Sequence, residues 1–364
     1  MESKQLIAIA VASIVVIAAG AAVAVFMFNG DDDEWKGEGV TDAAGNVVKL
    51  DADPVRIVST SATSTEIICQ LGYRSVLVGA SSNPGVYSID SDVTGIDVEF
   101  DYPGTIEADM ESGKIANIGT YNAWTAESVL AANPDFVLME HNQIENDSSR
   151  MDQIKTVGVP VFVISSGSTW DEILKNYTDL GKLLDKEDKA KEIVDEVRSS
   201  EKILLDEVTG KGNGLKVAHI CYCFGKYYIY DTSPTIEAAI AFGATNAITT
   251  DQSFTTITVE TIAEKNPDII IFDDMATGLV WTDVIAQWKA DPVMGKIDCI
   301  ENDNFYCLEY DPFQSTSYNT VHYFEGEVLI ASLLFGNDLG VEIPTVITDE
   351  NWKSYLLWFE ELVN

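Results

Sequence analysis

Histidines, cysteines and paired acids are the side chains here that could hold a metal or run a reaction. His141, His219 and His322, joined by an acid, would make a donor set for a bare divalent cation. Their spacing matches no compact metal motif. His141 follows an apolar run, His219 lies inside one as core histidines do, and His322 heads a late helix. Of the five cysteines, Cys221 and Cys223 are two apart on a strand and share a face, a poor geometry for pairing. Cys299 and Cys307 flank Glu301-Asn302-Asp303-Asn304 and would oppose each other across a hairpin with a three-residue loop. Cys69 reads as helix core, and the odd count leaves at least one thiol free. Asp273 and Asp274 are adjacent at a strand end and point apart, so they share no proton. There is no nucleophile elbow, Gly-rich phosphate loop or metalloprotease helix. These residues support a binding protein without a cofactor and not an enzyme.

The elements that position them are duplicated. Glu127 to Glu140 and Glu260 to Asp273 each read as a short amphipathic helix, an Asn-Pro-Asp stop and an apolar run ending on an acid. Proline withholds a donor and drives Asn133 or Asn266 out of the helical region. The unbroken apolar run suits a strand buried on both faces of a parallel sheet. Upstream, Thr65-Glu66 through Leu71-Gly72 matches Ile236-Glu237 through Phe242-Gly243. Two matches in the same order predict two similar α/β lobes with a cleft between them.

The chain has 364 residues, 46% of them hydrophobic, enough for two domains with real cores. Fifty-nine acids against 22 bases give a net charge of −37 and no basic patch, which excludes nucleic-acid binding. Leu6 to Phe28 carries no charge and would span about 35 Å as a helix, enough to cross a bilayer. Lys4 before it and Asp31-Asp32-Asp33-Glu34 after it predict an anchored chain with its globular part outside. A signal peptide cleaved after Ala22-Val23-Ala24 is the competing reading, and its apolar region would be unusually long.

The organisation read from these signals is an anchor at 1–30, a linker and small hairpin at 31–53, lobe one at 54–168, an inter-lobe helical segment at 169–209 and lobe two at 210–364. Within it, Arg56 to Ser59 is the first core strand. Thr63-Ser64-Thr65-Glu66 is a capping-box helix start and Gly72 its stop. The 170–208 region is helical with a break near Asp185 to Asp188. Lys216 to Phe224 opens lobe two, and helices near 320–335 and 351–362 close it.

Val40-Thr41-Asp42 with Gly45, Pro54 to Ser59, Thr65-Glu66-Ile67, Leu71-Gly72, Val78-Gly79 and the two Asn-Pro-Asp stops together resemble one family. It is that of the substrate-binding proteins of ABC importers for metal chelates, which serve ferric siderophores, haem and vitamin B12. The resemblance covers roughly 40–364. It implies two Rossmann-like lobes joined by a long rigid helix, a monomer, and a permease and ATPase as partners. The chain departs from the family in lacking a lipid-bearing cysteine, in its longer 81–121 segment and in having no arginine after Arg198.

Ligands of open α/β sheets sit beyond the carboxyl ends of the strands. That rule selects Tyr87 and His141 in lobe one and Tyr222, Phe224, Met275 and Tyr310 in lobe two, and the resemblance adds Trp124. Aromatic walls suit a large flat chelate. The scarcity of guanidinium groups favours a neutral or weakly charged one, a hydroxamate siderophore or a corrinoid, over carboxylate-rich ligands. The resemblance further implies one acid per lobe meeting permease arginines, and Glu66 and Glu237 are the pair in matching places. The alternatives are a binding protein for a free divalent metal and an extracellular ligand-sensing domain.

Overall fold

The computed structural model describes residues 39–82, 106–145, 147–252, 254–274, 278–317 and 319–363. The expected membrane span at Leu6 to Phe28 lies outside these residues, as do Tyr87 and Met275. Among the described residues no helix is long and apolar enough to cross a membrane.

The chain enters through a hairpin of β1 (Val40–Thr41) and β2 (Val47–Val48). Asp42 closes its turn by accepting the Asn46 N–H at 2.7 Å, and the Ala43 N–H reaches the Val163 carbonyl at 2.9 Å. Lobe one then builds β3 (Ile57–Ser59), α1 (Ala62–Ile68), β4 (Leu77–Ala80), β5 (Ala116–Asn117), α2 (Ala126–Ala131), β6 (Phe136–Glu140) and β7 (Val161–Ile164). Its sheet is parallel throughout, in the order β5-β4-β3-β6-β7.

Two helices follow, α3 (Trp170–Leu183) and α4 (Glu187–Val208). They part at Asp185, whose φ of 54° no helix accommodates. Lobe two comprises β8 (Lys216–Cys223), β9 (Lys226–Tyr230), α5 (Pro234–Ala241), β10 (Thr245–Asn246), β11 (Phe254–Ile257), α6 (Val259–Lys265), β12 (Ile269–Asp273), α7 (Trp281–Ala290), β13 (Phe305–Leu308), α8 (Tyr323–Leu339) and β14 (Val346–Ile347). Its sheet runs β11-β9-β8-β12-β13-β14 with β10 beside β8, and β9 alone runs opposite to the rest, pairing antiparallel with both β8 and β11.

The duplicated motif has a duplicated physical cause. Asn133 and Asn266 both turn left-handed, with φ of 51° and 43°, the conformation that asparagine tolerates best after glycine. Asp135 then accepts the Val55 and Arg56 N–H groups at 2.9 Å each, and Asp268 accepts the Lys216 N–H at 2.8 Å. In return, a base at the head of each first strand satisfies the orphan carbonyls of the preceding helix. Arg56 Nε donates to the Asn133 carbonyl at 2.7 Å and Lys216 Nζ to that of Asn266 at 2.5 Å. The proline stops the helix and the aspartate docks the next strand onto the first. Strands β6 and β12 are buried at every position, as expected of central parallel strands.

Two local readings are corrected. The cap of α1 is Ser61, which forms its capping box with Ser64, so Glu66 falls too late to be the capping acid. Cys299 lies in the short helix Asp298–Glu301 and Cys307 in β13, with no hairpin joining them, and both are free, buried thiols.

Candidate ligand-binding site

Parallel strands place the loops that follow their carboxyl ends on one edge of each sheet. In lobe one these loops are lined with hydroxyls. The Thr60 hydroxyl donates to Gln143 Oε1 at 2.5 Å, and Gln143 Nε2 returns bonds to the Thr60 and Tyr121 carbonyls at 2.9 and 3.1 Å. Glu140, the last residue of β6, is buried, and the Tyr121 hydroxyl donates to its Oε2 at 3.2 Å. Burial lifts the Glu140 carboxyl above its ordinary range, and bonds from Ser61, Thr63, Tyr121 and Ser166 oppose that rise. His141 follows in a single 3-10 turn and is half-buried.

In lobe two the strand-end loop after β8 carries the strongest signal. Phe224 and Gly225 take φ values of 52° and 71°, which join β8 and β9 as a type I′ hairpin. Glycine or asparagine suits such a position. A phenylalanine there is strained by about 1–2 kcal/mol. Phe224 is 83% exposed, so packing within the chain does not repay that strain. Tyr222 is half-buried and packs inward on Tyr227 and Trp288, with ring centroids at 4.8 and 5.3 Å. Tyr310 is half-buried at the head of the helix Tyr310–Ser317.

Trp124 is 1% exposed and sits in the lobe-one core, capped by the Arg150 guanidinium 4.1 Å from its ring centre. It packs the lobe and presents no ring face at its surface. Glu66 is 3% exposed and is bonded to Gln70 Nε2 at 2.9 Å, which removes it from any surface a permease could touch. Glu237 is half-buried and lines a cavity of about 230 Å³ with Trp170, Arg198, Glu201 and Glu327. The expected docking pair is therefore corrected on the Glu66 side. The acids that the repeat leaves exposed in matching places are Glu127 and Glu260, each in the first turn of a helix behind a threonine cap.

The histidines separate. His141 stays at its strand end, whereas His322 Nε2 lies 3.4 Å from Glu66 Oε1. His219 is buried between Ser233 Oγ, 2.9 Å from its Nδ1, and Asp273 Oδ2, 3.0 Å from its Nε2. Ser233 Oγ also accepts the Ile236 N–H, and the Nε2 approach to Asp273 Oδ2 is close without the alignment of a hydrogen bond. The three side chains group as Ser-His-Asp, yet they form no continuous hydrogen-bonded relay and Ser233 is a buried helix cap. Together they brace α5 against β8 and β12, and Tyr230 stacks on the imidazole at 4.3 Å. Serine and aspartate lie far from His219 in sequence, so no spacing announced the contact. Among the described residues no group of three or more ligating side chains could hold a metal.

The profile of the family described as periplasmic binding protein matches residues 57–312. An ABC transporter substrate-binding lipoprotein of Bacillus subtilis is 23% identical over 238 residues, 65% of this chain and 68% of that one. A cobalamin-binding protein of Halobacterium salinarum is 24% identical over 234 residues, 63% of this chain and 57% of that one. The chain thus spans between 57 and 68% of the length of these relatives. Among solved structures, a possible iron-binding, periplasmic solute-binding protein from Staphylococcus epidermidis superposes with a TM-score of 0.60 at 23% identity. That superposition covers 78% of this chain and 100% of the other.

Proposed function

The chain belongs to the periplasmic binding protein family, and from that premise we propose that it captures a metal chelate between its lobes and passes it to an ABC permease. Members of this family are solute-binding components of transport and not enzymes. The observation that carries the reading is Phe224, a strained aromatic held in solvent at a strand end where ligands of such sheets bind. Backbone strain of this kind clusters at ligand clamps and other functional sites. Half-buried His141 and Tyr310, at other strand ends, offer polar atoms for the same ligand. The ligand is a neutral or weakly charged chelate of the hydroxamate or corrinoid class. That lobe two has no arginine supports this, and so does the cobalamin-binding relative.

A ligand that binds the folded state alone raises the melting temperature by mass action. Cobalamins or ferric hydroxamates are expected to raise it in a melting screen, and free divalent cations are not. A shift with free cations and none with any chelate would overturn the reading.

The globular part works outside the cytoplasm, and Leu6 to Phe28 tethers it to the membrane. Mass spectrometry of the native protein should find this segment retained, whereas an N-terminus at or beyond Val25 would show that it is cleaved. Docking onto the permease falls to Glu127 and Glu260. Both are exposed, both open the repeated segment, and each sits at the positive end of its helix on a different lobe.

A further inference from the structure

Glu66 from α1, Gln70 just beyond it, Tyr177 from α3 and His322 at the head of α8 meet in one buried network. Gln70 is committed at both ends, its Nε2 to Glu66 at 2.9 Å and its Oε1 to the Tyr177 hydroxyl at 2.5 Å. The same Tyr177 oxygen accepts the Val321 N–H at 3.2 Å. His322 Nε2 lies 3.4 Å from Glu66 Oε1, and its backbone N–H donates to Thr320 Oγ1 at 3.3 Å. One element of lobe one, one inter-lobe helix and one element of lobe two are thereby joined through side chains no more than 5% exposed.

We propose that this network is a positioning latch that fixes the spacing of the two lobes, holds while the buried Glu66 carboxyl keeps its proton, and loosens as that proton is lost at rising pH. Its consequence for ligand rests on the binding function proposed above, but its existence does not. With its proton present, the Glu66 carboxyl is neutral in a buried site and accepts the Gln70 Nε2 bond. Once it leaves, Glu66 becomes a buried carboxylate, and a charge taken out of water is costly.

The surrounding groups leave this titration to Glu66. Tyr177 and Cys69 face Glu66 and are both pushed up by burial, the Cys69 thiol to about 12, so they stay protonated. Arg74, beyond Cys69, is bound to Asp109 at 2.7 Å. On α8, the backbone N–H of Glu325 is tied to the His322 carbonyl at 3.1 Å, and its carboxyl is buried. Burial raises the Glu66 carboxyl above 4.5, while the His322 charge and the Thr320 and Gln70 bonds pull it down. A carboxyl raised on folding stabilises the fold below its unfolded value and loses that contribution as pH climbs through the folded one. The latch therefore holds in acid and loosens in base.

Spin labels on Val157→Cys and Val280→Cys report the inter-lobe distance in the full chain, since both sites are exposed and all five native cysteines are buried. Without any ligand, the distance distribution of the labelled protein should be narrow at about pH 5 and broad at about pH 9. Glu66→Gln keeps the shape and the hydrogen bonds without the titrating proton, and should stay narrow at both. Tyr177→Phe cuts the link to Gln70 and Val321 and should be broad at both. A distribution in the parent that ignores pH, a Glu66→Gln variant that broadens as the parent does, or a narrow Tyr177→Phe variant would each overturn the proposal. Because no chelate is present, failure here is separate from failure to bind one.

Discussion

A chain carrying Glu127→Ala and Glu260→Ala is expected to bind its chelate as the parent does and to support no uptake. Both acids are exposed and lie in the first turns of α2 and α6, one on each lobe. Neither is the residue that its cap requires. Thr125 forms its capping box with Ser128, and Thr258 Oγ1 accepts the Thr261 N–H at 3.3 Å. Their alanine variants should therefore melt within about 1 kcal/mol of the parent, the size of a lost helix-dipole contact. Charge pairs at a docking rim steer the encounter and fix orientation more than they add affinity. Each single substitution should thus slow uptake, and the two together should stop it. Radiolabelled uptake in cells lacking the native copy decides this. Normal uptake by the double variant would refute the docking role, and so would loss of chelate binding.

The second large effect has two opposite signs. Phe224→Gly should weaken chelate binding about tenfold or more, as removal of an aromatic anchor from a contact does. The same change should raise the melting temperature of the free protein. Glycine takes the positive φ of 52° without the 1–2 kcal/mol or so that phenylalanine pays, and at 83% exposure little packing is lost. A variant that binds normally, or that melts lower, would show that Phe224 is ordinary structure.

Much of the fold was legible because its signals are local. Asn-Pro-Asp carries its own mechanism, a left-handed asparagine, a missing donor and an acid for the next strand, so both copies form where the sequence places them. The break at Asp185 in the inter-lobe segment and the apolar strands β6 and β12 were legible for the same reason. The site was legible only in outline. The strand-end rule selected Phe224, which lies exposed just beyond β8 with a backbone strain that no sequence pattern carries. It could not tell an aromatic turned to solvent from Tyr222, which packs on Trp288. Trp124 was chosen by resemblance, and its burial under Arg150 depends on a contact between residues distant in the chain. Glu66 was misplaced for a one-turn reason. With Ser61 and not Thr63 as the cap, the helix starts earlier and its face turns Glu66 inward to Gln70 and His322. Cys221 and Cys223, read as sharing a face in a geometry poor for pairing, are free thiols whose sulfurs lie 3.1 Å apart in β8.

The central claim is that a whole chelate, and not its bare metal, is the ligand. Calorimetric titration of the full chain with hydroxocobalamin and with a ferric trihydroxamate, each beside its free metal salt, tests it most directly. Saturable one-to-one binding of at least one chelate, weakened about tenfold or more by Phe224→Gly and absent for both salts, is the predicted result. Saturable binding of a free salt with none for either chelate would contradict it.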